Sequence, residues 1–174
     1  MTTQTTLSGS AAGRDGGARI INGDYKTTGG PGPEIMDANT LTGDTVVNAA
    51  GEDLGKIEAI MLDVGAGRIA YAVLSFGGFL GMGAKLFALP WAALTLDARE
   101  KRFVLDASKE KLENAEGFDK DSWPTMADPE WAARVHTYYG VPPYWHQESA
   151  ASPDPRRSTV SQQFGDGADR TTKY

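Results

Sequence analysis

Between residues 41 and 105, short apolar stretches alternate with turns, and no stretch continues as a long amphipathic helix. The two longest stretches, 54–64 and 68–75, are separated by a turn that contains Gly65 and Gly67, which is typical of a β-hairpin. Four further strands are predicted around this hairpin, at residues 44–47, 85–89, 95–96 and 102–105. This pattern favours a mainly β fold, a small SH3-like antiparallel barrel of about six strands that closes its own edges.

The composition changes on both sides of this region. Residues 1–35 and 146–174 are rich in Gly, Ser and Thr and contain few large apolar side chains. Such segments bury too little apolar surface to offset the entropy that is lost on ordering. We therefore predict four parts: a disordered N-terminal segment at 1–35, the barrel domain at 36–106, a helical, aromatic-rich extension at 107–145, and a disordered C-terminal tail at 146–174.

Two short helices are predicted in the extension. Ser108 is placed to cap a helix over residues 109–114. Asp128 followed by Pro129 is a strong helix start, because Asp accepts hydrogen bonds at the N-cap and Pro fits the first turn. Gly140 is expected to end this second helix.

The charge of the chain is unevenly distributed. The net charge is −6, and the excess of Asp and Glu over Lys and Arg lies in residues 37–145. An acidic surface repels phosphate groups, which argues against direct binding of nucleic acid and against docking on anionic lipid. No secretory signal is visible, and the longest apolar run, residues 69–74, is far too short to cross a bilayer. We therefore expect a cytoplasmic protein with no membrane insertion.

No group of residues predicts catalysis or a cofactor. The chain has no cysteine, which excludes disulfides and thiolate metal sites. His136 and His146 lack the spacing of metal ligands, and a surface position is the expected one for a lone histidine. The glycine-rich residues 78–85 continue into a strand rather than into the helix that a phosphate-binding loop needs. Asp63 is expected to organise the turn of the hairpin. We predict a protein that is not an enzyme and carries no metal.

Several stretches resemble a known family. Residues 41–48 followed by 51–58 resemble the opening of a PRC-barrel domain, named after the cytoplasmic domain of the photosynthetic reaction-centre H subunit. Ribosome maturation factors carry a related barrel at their C-terminal end. Residues 67–81 and 85–91 are similar to the hairpin, the glycine loop and the Pro-Trp corner of stand-alone bacterial members. The resemblance implies an SH3-like barrel used for assembly, without a shared active site.

Apolar and aromatic residues in two regions are candidates for contact with a partner. The glycine-rich loop either folds back as a lid over the barrel or meets a partner, and the aromatic extension either packs on the barrel or forms an interface. The candidate contact residues are Phe79, Leu80, Met82, Trp123, Trp131, Tyr138, Tyr139, Tyr144 and Trp145.

These observations predict a binding function. We expect a protein-binding or assembly module whose partner is another protein or a second copy of this chain, as in a homo-oligomer. The resemblance to the reaction-centre H subunit implies an alternative, an accessory to a membrane-adjacent photosynthetic or electron-transfer complex.

Overall fold

The computed structural model describes residues 16–22, 35–77 and 83–145. Within these ranges eight strands form one sheet, in the order β1-β6-β7-β2-β3-β4-β5-β8. The strands are β1 (Arg19–Ile21), β2 (Thr45–Asn48), β3 (Asp53–Asp63), β4 (Arg68–Phe76), β5 (Lys85–Pro90), β6 (Leu94–Asp97), β7 (Arg102–Leu105) and β8 (Gly117–Phe118). The helices are α1 (Ala38–Leu41), α2 (Lys109–Glu113) and α3 (Pro129–Tyr139), with a 3-10 helix at Trp91–Ala93.

The six strands predicted from the sequence are all present, as β2 to β7, and the mainly β fold class is confirmed. The central hairpin pairs β3 with β4 in antiparallel register. Asp63 organises its turn as predicted, since its Oδ1 atom accepts a hydrogen bond of 2.9 Å from the backbone N–H of Ala66. Gly67 completes the turn with a φ of +65°, a value that glycine adopts without strain.

The prediction that the barrel closes its own edges is wrong. In the described part of the chain the sheet is open, with β1 and β8 as its two edges. Two pairs of neighbouring strands are parallel: β1 with β6, and β2 with β7. Burial explains the second pair: Val46 and Phe103 are directly opposite in the register, and both are fully buried in the same core. The apolar area that this arrangement removes from water decides the pairing of such short strands.

The main core is built from side chains of six strands. Every strand from β2 to β7 supplies at least one fully or almost fully buried side chain to it: Val46, Ile57, Leu74, Leu89, Leu94 and Phe103. A second, smaller core joins α3 to β4 and β5, and it contains Tyr71, Ala88, Trp131, Ala132 and Val135.

Two edge strands were not predicted. Arg19–Ile21 lies in the segment expected to be disordered, yet it forms β1 because Ile20 packs on the main core. The Asn22 side chain then donates a hydrogen bond of 3.1 Å to the buried Asp97 carboxylate, which fixes the end of β1. Gly117–Phe118 lies in the predicted helical extension and forms β8 against β5.

Both predicted helices of the extension are confirmed. The Ser108 hydroxyl accepts a hydrogen bond from the backbone N–H of Lys111, and α2 ends at Glu113. The Asp128 carboxylate accepts a hydrogen bond of 2.8 Å from the N–H of Glu130 at the start of α3. Gly140 ends α3 with a φ of +70°, the left-handed conformation usual at that position.

Candidate binding cleft

A cleft of about 570 Å³ lies between the tip of the β3–β4 hairpin and the start of α3. Its volume falls within the range of about 300–1,000 Å³ that is usual for binding sites. Three parts of the chain form its walls: the hairpin, the residues that lead into α3, and the segment that follows α3. The lining residues are Met61, Leu62, Asp63, Val64, Ala70, Tyr71, Met126, Ala127, Pro129, Ala132, Tyr144 and Trp145.

The floor of the cleft is rigid and aromatic. Tyr71, on β4, is 1% exposed, and its ring meets the ring of Trp131 on α3 edge to face at 5.5 Å between centroids. The Tyr144 ring approaches Tyr71 from the other side at 6.5 Å, again edge to face. Edge-to-face ring pairs add to the stability that burial provides, so this floor holds its shape.

The rim of the cleft exposes large apolar side chains. Leu62 is 64% exposed and Val64 is 88% exposed, on either side of Asp63 at the end of β3. Partly buried methionines, Met61 and Met126, lie below them in contact with the second core. Methionine side chains adapt to irregular surfaces and are common where proteins bind partners. The cleft is thus an apolar recess whose edge is also apolar.

Residues 141–145, which we call the strap, follow α3 and connect it to the hairpin. The Tyr144 hydroxyl donates a hydrogen bond of 3.0 Å to Oδ2 of Asp63. Arg68 donates from Nη1 to the backbone carbonyl of Tyr144 at 2.9 Å, and its guanidinium lies 5.9 Å from the centre of the Tyr144 ring. Burial and the Asp63 carboxylate raise the pKa of Tyr144 to about 12. The strap therefore closes one end of the cleft through specific polar contacts.

Asp63 carries the negative charge inside the cleft. Hydrogen bonds from the backbone N–H of Ala66 and then from the Tyr144 hydroxyl lower its pKa below the ordinary value, so it remains ionised at neutral pH. Among the described residues the ion pairs join Lys120 to Glu58 and Arg134 to Glu116, and neither includes Asp63. The hydrogen-bond donors to the carboxylate are neutral, and the nearby charge of Arg68 adds a smaller contribution to the lowering of its pKa.

Two buried polar side chains beside the strap lack a hydrogen bond of good geometry among the described residues. The Tyr71 hydroxyl is one, and burial raises its pKa. The other is His136, predicted at the surface but only 1% exposed, because α3 turns this position toward the rings of Tyr71, Tyr144 and Trp145. Burial lowers the pKa of His136, and the backbone of Pro142 and Val141 opposes the shift.

The structure places the predicted contact residues in different environments. Tyr144 and Trp145 line the cleft, whereas Trp131 is only 6% exposed and lies in the second core. Phe79, Leu80 and Met82 belong to residues 78–82, which lie outside the part of the chain that the structure describes.

The three other predicted residues lie outside the cleft. The Tyr138 hydroxyl donates to the carbonyl of Lys111 at 2.5 Å, and the Lys111 ammonium lies 5.6 Å from the Tyr138 ring and 6.0 Å from the Tyr139 ring. Trp123 stacks obliquely on Phe118 at 5.1 Å and donates from Nε1 to the carbonyl of Lys120. These aromatic side chains are held by intramolecular contacts.

Sequence reasoning missed the apolar rim. The sequence pattern predicts Leu62 and Val64 only as members of a strand, although they adjoin Asp63 and a glycine turn. A strand that extends beyond its buried neighbours leaves the apolar side chains at its end uncovered. The position of Leu62 and Val64 next to the turn is therefore the feature of the sequence that indicates an exposed apolar site. Met126, in a loop between two tryptophans, gave no comparable signal.

Two features are absent from the described ranges. No three His, Cys, Asp or Glu side chains lie close enough together to hold a metal ion. No helix there is both long enough and apolar enough to span a membrane.

The fold and the cleft define a class of protein: a small open-sheet β domain with a helical extension and an apolar recess. Residues 33–112 match the family model of the PRC-barrel domain. The chain therefore carries a PRC-barrel domain, which confirms the family resemblance. The hairpin side of the cleft lies inside the matched region, whereas Met126, Pro129 and the strap lie beyond it.

The remaining comparisons are distant. A solved structure similar to this chain is described as the 16S ribosomal RNA processing protein RimM from Pseudomonas aeruginosa, with 19% identity and a TM-score of 0.31. The match covers 43% of this chain and 45% of that chain, so less than half of the solved protein is represented. None of the curated proteins matches the chain.

Proposed function

We propose that this chain is a non-enzymatic protein-binding module of the cytoplasm, and that it holds an apolar segment of a partner protein in the cleft. The observation that carries the proposal is the exposure of Leu62 and Val64 on the rim of an apolar recess. Single exposed apolar residues are common on any protein, but a group of them beside a recess favours an interaction site.

The construction of the recess supports a binding role. The floor is fixed by buried rings, flexible methionine side chains lie above it, and the rim carries exposed aliphatic side chains. Interfaces are built in this way, with apolar anchors entering preformed pockets that exclude water. A rigid floor also lowers the entropy cost of binding, because little of the protein has to become ordered.

The extension supplies the part of the cleft that lies outside the PRC-barrel domain. The PRC-barrel domain supplies the hairpin, and the residues after 112 supply Met126, Pro129 and the strap. Family members with other extensions would present a different recess on the same domain. We therefore assign partner choice to the extension and mechanical support to the domain.

A second copy of the chain is the alternative protein partner. We do not propose a role beside a photosynthetic or electron-transfer complex, since no contact or charge among the described residues favours it.

The experiment uses a double variant that carries both Leu62→Ser and Val64→Ser. Its control is Ile35→Ser, which removes a 72% exposed apolar side chain that does not line the cleft. Each tagged full-length protein is used to capture partners from its own cell lysate, and mass is measured by light scattering. The proposal expects a partner that the unchanged protein and Ile35→Ser retain and the double variant loses. Loss of oligomeric mass in the double variant alone identifies the partner as a second copy. Equal capture and equal mass for all three proteins would contradict the proposal.

A further inference from the structure

The charge of Asp63 is only partly offset in the cleft that it lines, by the nearby Arg68, which contributes to the lowering of its pKa. Its carboxylate accepts from the N–H of Ala66 and from the hydroxyl of Tyr144, and it forms no ion pair within the described residues. The nearby cation, Arg68, donates instead to the carbonyl of Tyr144 and lies against that ring.

Two further charges near the cleft have the same sign as Asp63. Asp128 and Glu130 flank Pro129, which lines the wall opposite the hairpin. The Tyr71 hydroxyl, in the floor, has no hydrogen-bond partner among the described residues and can therefore accept a hydrogen bond as well as donate one. An apolar recess with an acidic border, an unpartnered hydroxyl and a carboxylate that forms no ion pair within the described residues is complementary to a ligand with an apolar body and a cationic end.

Resting on the proposed function, we propose that the partner segment places an apolar side chain in the recess and an adjacent Lys or Arg on Asp63. The aliphatic stem of that residue lies along Met61 and Met126, as long cationic side chains commonly cover apolar surface while the charged group reaches a polar site. The Tyr144 ring, beside the carboxylate, adds a cation–aromatic contact.

Desolvation makes the cation necessary. An apolar segment alone would cover Asp63 and remove water from a carboxylate without replacing it by a positive charge, which is costly. A segment that brings an ammonium or guanidinium group restores a charge-assisted hydrogen bond. A segment that brings a carboxylate adds repulsion to the same loss of water.

The experiment uses three acetylated and amidated peptides that differ only at the centre: Gly-Leu-Lys-Leu-Gly, Gly-Leu-Gln-Leu-Gly and Gly-Leu-Glu-Leu-Gly. Each is titrated into the ¹⁵N-labelled full chain at low ionic strength, and the backbone amide shifts of Val64, Ala70 and Ala127, all cleft-lining, report binding. We expect the Lys peptide to bind about tenfold more tightly than the Glu peptide, with the Gln peptide between them.

Two variants of equal charge separate a local effect from the general acidity of the chain. Asp63→Asn removes the carboxylate of the cleft and keeps a hydrogen-bonding side chain, so the three peptides should then bind alike. Glu58→Gln removes one negative charge from the same strand outside the cleft, where Glu58 makes an exposed ion pair with Lys120 at 3.7 Å. This control should keep the full preference for the Lys peptide.

The outcomes distinguish the inference from the function on which it rests. If all three peptides shift the cleft amides of the unchanged protein with the same affinity, the cationic specificity is overturned and the apolar cleft survives as a binding site. If Asp63→Asn and Glu58→Gln reduce the preference equally, the specificity is again overturned. If no peptide shifts the cleft amides at millimolar concentration, both the inference and the proposed function fail.

Discussion

The Tyr144 hydroxyl and the Asp63 carboxylate are joined by a hydrogen bond of 3.0 Å, although 81 positions separate the two residues in the sequence. Asp63 belongs to the PRC-barrel domain and Tyr144 to the strap that follows α3. The bond therefore connects the domain to its extension at the edge of the cleft. We infer that the geometry of the recess depends on this connection.

Replacing Tyr144 by Phe removes that hydrogen bond and leaves the ring in place. We expect the melting temperature to fall by about 3 °C and the amide shifts of the strap to change. The matched control is Tyr138→Phe, which removes the hydroxyl bound to Lys111 and should leave the strap unchanged. Combining Tyr144→Phe with Asp63→Asn should cost less than the sum of the two changes, because they break one interaction. Full additivity would contradict the connection.

His136 makes stability depend on pH near neutrality. Burial lowers its pKa from 6.5, so the unfolded chain takes up a proton at a higher pH than the folded protein does. Its contribution is therefore present above about pH 6.5 and lost as the pH falls through the folded pKa. The melting temperature should fall between about pH 7.5 and 5.5, and His136→Phe should reduce this slope. An equal slope in the variant would show that other groups cause it.

Trp131 and Trp123 should differ sharply in their importance for folding. Trp131 is 6% exposed and packs on Tyr71, so Trp131→Ala opens a cavity in the second core and should cost about 3–5 kcal/mol. Trp123 is 42% exposed, and Trp123→Ala should cost about 1 kcal/mol. Urea denaturation of both variants checks the difference. Similar losses would mean that the extension is not anchored through Trp131.

Gly55 is required by a close approach between β3 and β4. Its φ is +125°, and a Cβ atom there would lie 2.1 Å from the carbonyl oxygen of Ser75. Gly55→Ala should therefore cost about 3 kcal/mol, because the two strands have to separate. Gly51→Ala is the control: its φ of +82° is also unfavourable, but no atom lies within 4 Å, so about 1 kcal/mol is expected. Equal losses would indicate that the contact with Ser75 is unimportant.

The local elements of this fold were predictable, because local interactions determine them. Alternating apolar residues and glycine turns predicted β2 to β7, and Asp128 with Gly140 predicted both ends of α3. The caps and turns involve residues only a few positions apart, so the sequence alone indicates which side chain bonds to which backbone group.

The arrangement of these elements was not predictable in the same way. The parallel pairing of Val46 with Phe103 joins residues that are distant in the chain, and nothing near either one specifies its partner. The three residues of β1 are too few to give a periodic signal, and Ile20 gains its place only from the main core. The sequence predicts a surface position for His136, and the residue is buried only because the strap packs against it in the folded chain. The cleft has the same origin, since Leu62 and Tyr144 meet only in the folded chain.

Crosslinking at the rim tests the central claim most directly. The photoreactive residue p-benzoyl-phenylalanine is incorporated in cells in place of Val64, which is 88% exposed at the cleft, or in place of Ile35, which is 72% exposed and does not line it. The proposed function predicts that illumination joins a defined protein to position 64 and not to position 35. Defined adducts at position 35 with none at position 64, or the same adducts at both, would contradict it.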